Sequence, residues 1–257
     1  MTYEHVLVDR RDAFATITMN RPDRRNALST AHMVDLTAAL RDAGATDARG
    51  IVLAANGPVF SAGHDFSEMV GRDLVSMRTL LDVCVELMET IQSVPQPVVA
   101  RVHGLATAAG CQLVATCDLA VAADTAGFAI PGGKGGWFCH TPLVAVARNV
   151  GRKRAAELAF TGDAIDAATA LDWGLVNRVV PADALDAAVL ELLDRATRGS
   201  AMSKGLGKHG FYAQVDLDQR QAYAYALELM AAASQTADAQ EGMASFVEKR
   251  PPKWLDR

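Results

Sequence analysis

Apolar residues alternate or run together over residues 6–8 and 13–19, on either side of the polar stretch Asp9-Arg10-Arg11-Asp12, which predicts a hairpin of two strands. Ser29 stands where a helix cap is needed, since its hydroxyl can accept from the first free amides. Met33, Leu36 and Leu40 recur on one face behind it. Residues 50–55 form an apolar block of strand length. Leu74, Met77, Leu80, Leu81, Cys84, Leu87, Met88 and Ile91 then keep a helical period, which Pro95 and Pro97 end before a strand at 98–102.

Residues 97–118 are the most informative segment: a buried strand, a tight loop ending in small residues, and a helix whose first amides face whatever docks there. Further strands are predicted at 119–122, 128–130 and 176–180, and helices at 142–149, 152–160 and 166–173. Strands recurring between helices predict an α/β fold with parallel pairing through right-handed crossovers. From Ala182 onward the pattern is almost wholly helical, with Asp183 and Asp238 near helix starts. That block has no predicted strand to cover, so it is expected to pack on its own domain and on neighbouring subunits. Pro251-Pro252 is expected to end the ordered structure.

Composition narrows the class. A chain of 257 residues can bury one substantial core. No apolar run approaches the ~20 residues of a membrane helix. Met1-Thr2-Tyr3-Glu4-His5 lacks a basic and an apolar leader region, so a soluble cytoplasmic protein with no membrane partner is expected. The formal charge of −5 argues against general nucleic-acid binding, and any anionic ligand must be met by local basic groups. Cys84, Cys111, Cys117 and Cys139 show no Cys-x-x-Cys pair and no zinc-ligand spacing, so reduced, packed thiols and no metal site are expected.

The chemistry sits in two loops. A helix start presents unpaired N–H donors and the positive end of the backbone dipole, and so can hold an oxygen that gains negative charge during reaction. Residues 59–65, Val-Phe-Ser-Ala-Gly-His-Asp, are a second apolar approach ending in small residues, so two loops can supply two amides. Gly132-Gly133-Lys134-Gly135-Gly136 is not a phosphate loop, because position 128 is Phe and no Ser or Thr follows Lys134. Ser61 lies outside any Gly-x-Ser-x-Gly elbow.

The pair Ala-Gly-x-Asp at 62–65 and Gly-x-Ala-x-x-x-Gly-Cys-x-Leu at 104–113 resembles the enoyl-CoA hydratase/isomerase superfamily, the crotonases. The likeness extends to Asn20-Arg21-Pro22, Asn26-Ala27-Leu28, Phe160-Thr161-Gly162, the segment from Ala170 ending Trp-Gly-Leu-Val, and Phe246-Val247-Glu248-Lys249-Arg250. Ala-Gly-His-Asp combined with Ala-Ala-Gly-Cys-Gln-Leu and Phe-Cys-x-Thr-Pro is similar to one subgroup within it. The resemblance implies a spiral of ββα turns over residues 1–198, closed by a helical trimerisation region over 199–257. It also implies a homotrimer or a hexamer of paired trimers.

It further implies an acyl-CoA or enoyl-CoA substrate, with no cofactor beyond the coenzyme A carried on the substrate. The backbone amides of His64 and Ala109 would form the oxyanion hole. The two glutamates that resembling hydratases use as acid and base fall on Gln112 and Gly132, so hydration is expected to be weak. Restoring them by Gln112→Glu with Gly132→Glu is expected to test the pocket. His140, eight residues beyond Gly132, lies where dienoyl-CoA isomerase relatives place a catalytic acid. For the coenzyme the resemblance points to Arg24, Arg25 and Ala27, to Ala62 along the pantetheine path, and to the C-terminal Phe246 and Lys249. Asp65 is a candidate at the same loop and a cap for the turn that follows it. The readings left open are nominal hydration, isomerisation through His140, and acyl-CoA binding without turnover.

Overall fold

The computed structural model describes residues 3–255. In chain order the elements are β1 (Val6–Arg11), β2 (Phe14–Met19), α1 (Thr30–Gly44), β3 (Gly50–Ala55), α2 (Leu74–Ser93), β4 (Val98–Val102), β5 (Ala106–Thr107), α3 (Ala109–Thr116), β6 (Leu119–Ala123) and β7 (Gly127–Ala129). There follow α4 (His140–Val150), α5 (Arg152–Thr161), β8 (Ile165–Asp166), α6 (Ala167–Trp173), β9 (Arg178–Val180), α7 (Leu185–Thr197), α8 (Ala201–Gln214), α9 (Gln219–Ala233) and α10 (Ala237–Glu248). Ser29 caps α1 by accepting from His32 N, and Asp73, Asp166, Asp218 and Thr236 cap α2, α6, α9 and α10 in the same way.

The larger sheet runs β1-β2-β3-β4-β6-β9, antiparallel only between β1 and β2. A small sheet, β5-β7-β8, stands apart from it. Neither β5 nor β8 was expected, because two-residue strands carry no periodicity. All of β3 is buried, as a parallel strand must be when both faces are covered. Ile51 and Leu53 face the main core with α1, α2 and α3. Val52, Ala54, Val99, Val121 and Ala123 form a second core against Leu185, Val189 and Leu193 of α7.

That second core corrects the expectation that nothing after Ala182 has strands to cover: α7 closes the far face of the sheet. The tail also differs from expectation. Beyond Pro251-Pro252 the chain folds back on α10, where Glu241 accepts from Lys253 N and Asp238 from Leu255 N, and Trp254 lies beside Gly242.

One buried ionic cluster ties α8 to the sheet. Asp118 accepts from Val98 N (2.6 Å), Lys208 Nζ (2.7 Å) and the Tyr212 hydroxyl (2.8 Å), while Lys208 also donates to the carbonyls of Ile91 and Gln96. Burial pushes the Lys208 ammonium down and the Tyr212 phenol up from their ordinary values. Lys208→Met would leave the carboxylate and two carbonyls without their shared donor. It should lower unfolding free energy by about 3–5 kcal/mol, read from urea denaturation.

Candidate functional site

Loop 61–65 lies directly on the start of α3. Ser61 bridges to Ala106, its carbonyl accepting from Thr107 N, and its hydroxyl joins Asn26 O to Gly63 N. Gly63, at φ +83°, makes the approach possible. A Cβ there would stand 2.9 Å from Ala108 Cβ and 3.2 Å from Ala109 N. Leu28 N donates to Gly63 O and Asp65 N to Leu28 O, a parallel bridge that steps over the His64 amide. No side chain caps α3, and Ala109 N stands at its first turn. Among the described residues neither amide has an acceptor. Residue 108, just before the helix, sits at φ 52°, ψ −118°, where the Cβ of alanine is strained and glycine would not be. The backbone demand before the helix thus falls on residue 108 and not on Ala109.

Beside this junction is an apolar cavity of about 550 Å³ whose wall includes His64, Phe66, Ala108, Trp137, Cys139 and His140. The His64 ring meets Trp137 edge-on, with centroids 6.2 Å apart, and its Nε2 has no hydrogen-bond partner. Desolvation holds its pKa at about 4, so the imidazole is neutral. Gln112 is buried on α3, with its Oε1 likewise unpartnered. Gly132 is packed so tightly that a Cβ would overlap the Trp137 carbonyl oxygen and lie 2.5 Å from Cys139 Sγ. A glutamate at 132 would therefore have no room without displacing the turn from 132 to 139. Burial pushes the Cys139 thiol up, despite an opposing hydrogen bond from Gly132. His140 is exposed at the first turn of α4, its ring 5.2 Å from that of Phe138.

The loop before α1 supplies the basic groups. Arg24 pairs with Asp65 at 3.4 Å and donates to the Ser67 hydroxyl, and Arg21 approaches the same carboxylate at 3.7 Å. Asp65 caps the turn Phe66–Glu68, and the Ser67 hydroxyl, then Arg24 and Arg21, hold its carboxyl below the usual range. Its carboxylate is thus committed to organising the loop. Ala62 N donates to Arg25 O, and Ala27 O accepts from Arg21 and His32. Arg25 is exposed at φ 52°. Asn26, missed as a site residue, staples this loop through Asn56 O and Val59 O, and its φ of 50° is one that asparagine tolerates. Phe246 and Lys249 are not brought to the cavity within one chain. Phe246 projects from α10, 85% exposed, and Lys249 ends that helix at φ 56°.

His32 is the other buried imidazole, also held at about 4 by desolvation. Both rings are neutral when folded and regain their ordinary value of 6.5 when unfolded, so the unfolded chain binds more protons between the two values. Stability must then rise with pH across that window and fall on acidification. From about pH 7 to about pH 5 the pair should lose roughly 4 kcal/mol of unfolding free energy, and His64→Phe should halve the loss. Urea denaturation at the two pH values checks this.

The enoyl-CoA hydratase/isomerase family model matches residues 9–257. The mitochondrial enoyl-CoA hydratase domain-containing protein 3 of Mus musculus is 43% identical over 247 residues, 95% of this chain and 82% of that protein. The crystal structure of an enoyl-CoA hydratase from Mycobacterium smegmatis superposes with a TM-score of 0.94 at 44% identity, covering 98% of this chain and 99% of that one. That of human enoyl-CoA hydratase domain-containing protein 3 gives 0.93 at 39%, covering 98% and 100%. The subgroup seen in the sequence motifs is this one. The expected cytoplasmic location is overturned, since the mouse relative and its rat and human counterparts are mitochondrial proteins. The fold, the two-loop junction and a match running almost from end to end place the chain in the enoyl-CoA hydratase/isomerase family.

Proposed function

We propose that the protein binds an acyl-CoA thioester with its carbonyl oxygen between the amides of His64 and Ala109, which stabilise the enolate as charge develops there. The observation that carries this reading is the seating of Gly63 on the start of α3, which sets two N–H groups without acceptors beside an apolar cavity. A low-dielectric wall strengthens both hydrogen bonds to the oxyanion. Arg24 and Arg25 lie in the loop that would meet the coenzyme phosphates, where a planar guanidinium can donate two parallel N–H bonds to one phosphate. The pantetheine arm would pass Ala62. Phe246 and Lys249 would reach the site from a neighbouring subunit.

Hydration of an enoyl thioester needs a base for water and an acid for the α-carbon. The Gln112 amide can orient a water but cannot take its proton at neutral pH. At Gly132 there is neither a side chain nor room for one. Each missing group removes ~10²- to 10⁴-fold, so the nominal hydratase activity is weak or absent. His140 favours a second reading, isomerisation of the double bond, because it walls the cavity and can exchange a proton.

The assembly is a homotrimer or paired trimers, with residues 199–257 as the trimerising region. No residue of α9 is buried, and it exposes Tyr223, Leu227 and Met230. A monomer mass by light scattering would refute this part.

Calorimetry should register binding of crotonyl-CoA, while its conjugated-thioester absorbance decays slowly. Gln112→Glu should raise hydration by about tenfold or more, with Gly132→Glu adding nothing because the loop cannot hold it. Double-bond migration lost in His140→Ala would favour isomerisation, and binding with no conversion of any enoyl substrate would leave a carrier. No heat with any thioester would overturn the whole reading.

A further inference from the structure

The turn Gly-Gly-Lys-Gly-Gly-Trp, residues 132–137, supplies Gly132, Lys134, Gly135 and Trp137 to the cavity wall. Its two ends meet, since Trp137 N donates to Gly132 O at 2.9 Å, and the amides of 134, 135 and 136 bond only to carbonyls at 131–133. The excursion between them is a compact loop that keeps its own shape. Nothing packs on its tip: a Cβ on Gly135 would meet only Gly132 O, and one on Gly136, at φ +87°, would meet open space.

Among the described residues, the one side-chain hydrogen bond from this loop to another part of the fold runs from Lys134 Nζ to Asp163, two residues beyond α5, at 2.5 Å. Both side chains are exposed, at 59% and 73%. An exposed ion pair biases two arrangements by about fivefold or less, and salt screens it. Glycine at four of the five positions 132–136 leaves the backbone free to take either arrangement. We propose that residues 133–136 are a flap on the cavity and that the Lys134–Asp163 pair is its latch, so that ionic strength sets how readily a ligand enters and leaves. The latch rests on this geometry alone; that its ligand is a thioester rests on the reading above. Cys139 offers a reporter, because it walls the same cavity, is 8% exposed and packs against Gly132, whereas Cys84, Cys111 and Cys117 lie outside that wall.

The first measurement is the rate at which iodoacetamide, a small neutral reagent, alkylates Cys139 in the ligand-free, full-length protein, with the site identified by mass spectrometry. Asp163→Asn and Lys134→Met should each raise that rate about threefold. Sodium chloride at about 1 M should do the same to the wild-type protein and add nothing in the variants. The two substitutions change the local charge in opposite directions, so a shared rise reports opening and not a change in thiol ionisation. The swapped pair, Lys134→Asp with Asp163→Lys, should return the rate to the wild-type value. Stopped-flow dissociation of crotonyl-CoA should accelerate about threefold in the two single variants and recover in the swap. Equal Cys139 rates in wild-type protein and variants, effects of opposite sign in the two variants, a swap that behaves like either of them, or crotonyl-CoA dissociation unchanged by both overturns the inference alone. Latch-dependent alkylation in a protein that binds no thioester overturns the acyl-CoA reading and leaves the latch standing.

Discussion

Everything at the candidate site depends on one close approach, the backbone of Gly63 lying against Ala108 and the first amide of α3. Any Cβ at 63 would force the loop and the helix apart. The approach is held from both sides: Ser61 is bonded to Asn26, Gly63 and Thr107, and Ala108 N is anchored to Ala129 O. The strain at Ala108 is balanced by this network, which over-determines a conformation that alanine avoids. Two loops far apart in sequence thereby expose amides at one place.

The cavity beside them is distinctive for the charge it lacks. Its buried polar groups are a neutral imidazole and, on α3 behind the wall, a glutamine amide. Lys134 in its wall is tied to Asp163, and Arg24, in the loop before α1, to Asp65. Such a site favours charge only where the backbone supplies N–H groups for it, which is the condition for stabilising an enolate without general acid–base help. The turn around Gly132 reinforces this character, since Trp137 O and Cys139 fill the space a carboxylate side chain would need.

The sheet supports the site by being covered twice. α1, α2 and α3 take one face and α7 the other, so β3 and β4 are rigidly placed where the site loops leave them. The Asp118–Lys208–Tyr212 cluster then fixes α8 against the end of α2 and the start of β4. Beyond α8 the chain turns outward, and the apolar residues of α9 and α10 remain exposed.

Periodicity in the sequence was enough to locate α1 and α2, the hairpin and the strands at 50–55 and 98–102, because burial on one face or on two writes itself directly into side-chain chemistry, while the helices after Ala182 were legible only as a helical block. Motif order likewise revealed the family and the absence of glutamates at 112 and 132. Other features left no local trace. The second core beneath α7, the two-residue strands, the strain at 108 and the crowding at 132 arise from contacts between distant segments. Whether Phe246 reaches a site, or His64 has a partner, depends on where backbones converge rather than on which residues neighbour each other in the chain. The sequence by itself determined the longer periodic elements and the inventory of chemical groups. Only the tertiary structure decided which groups are sealed from water, which are left unpaired and which have room, since burial and distance are properties of packed segments and of no single one.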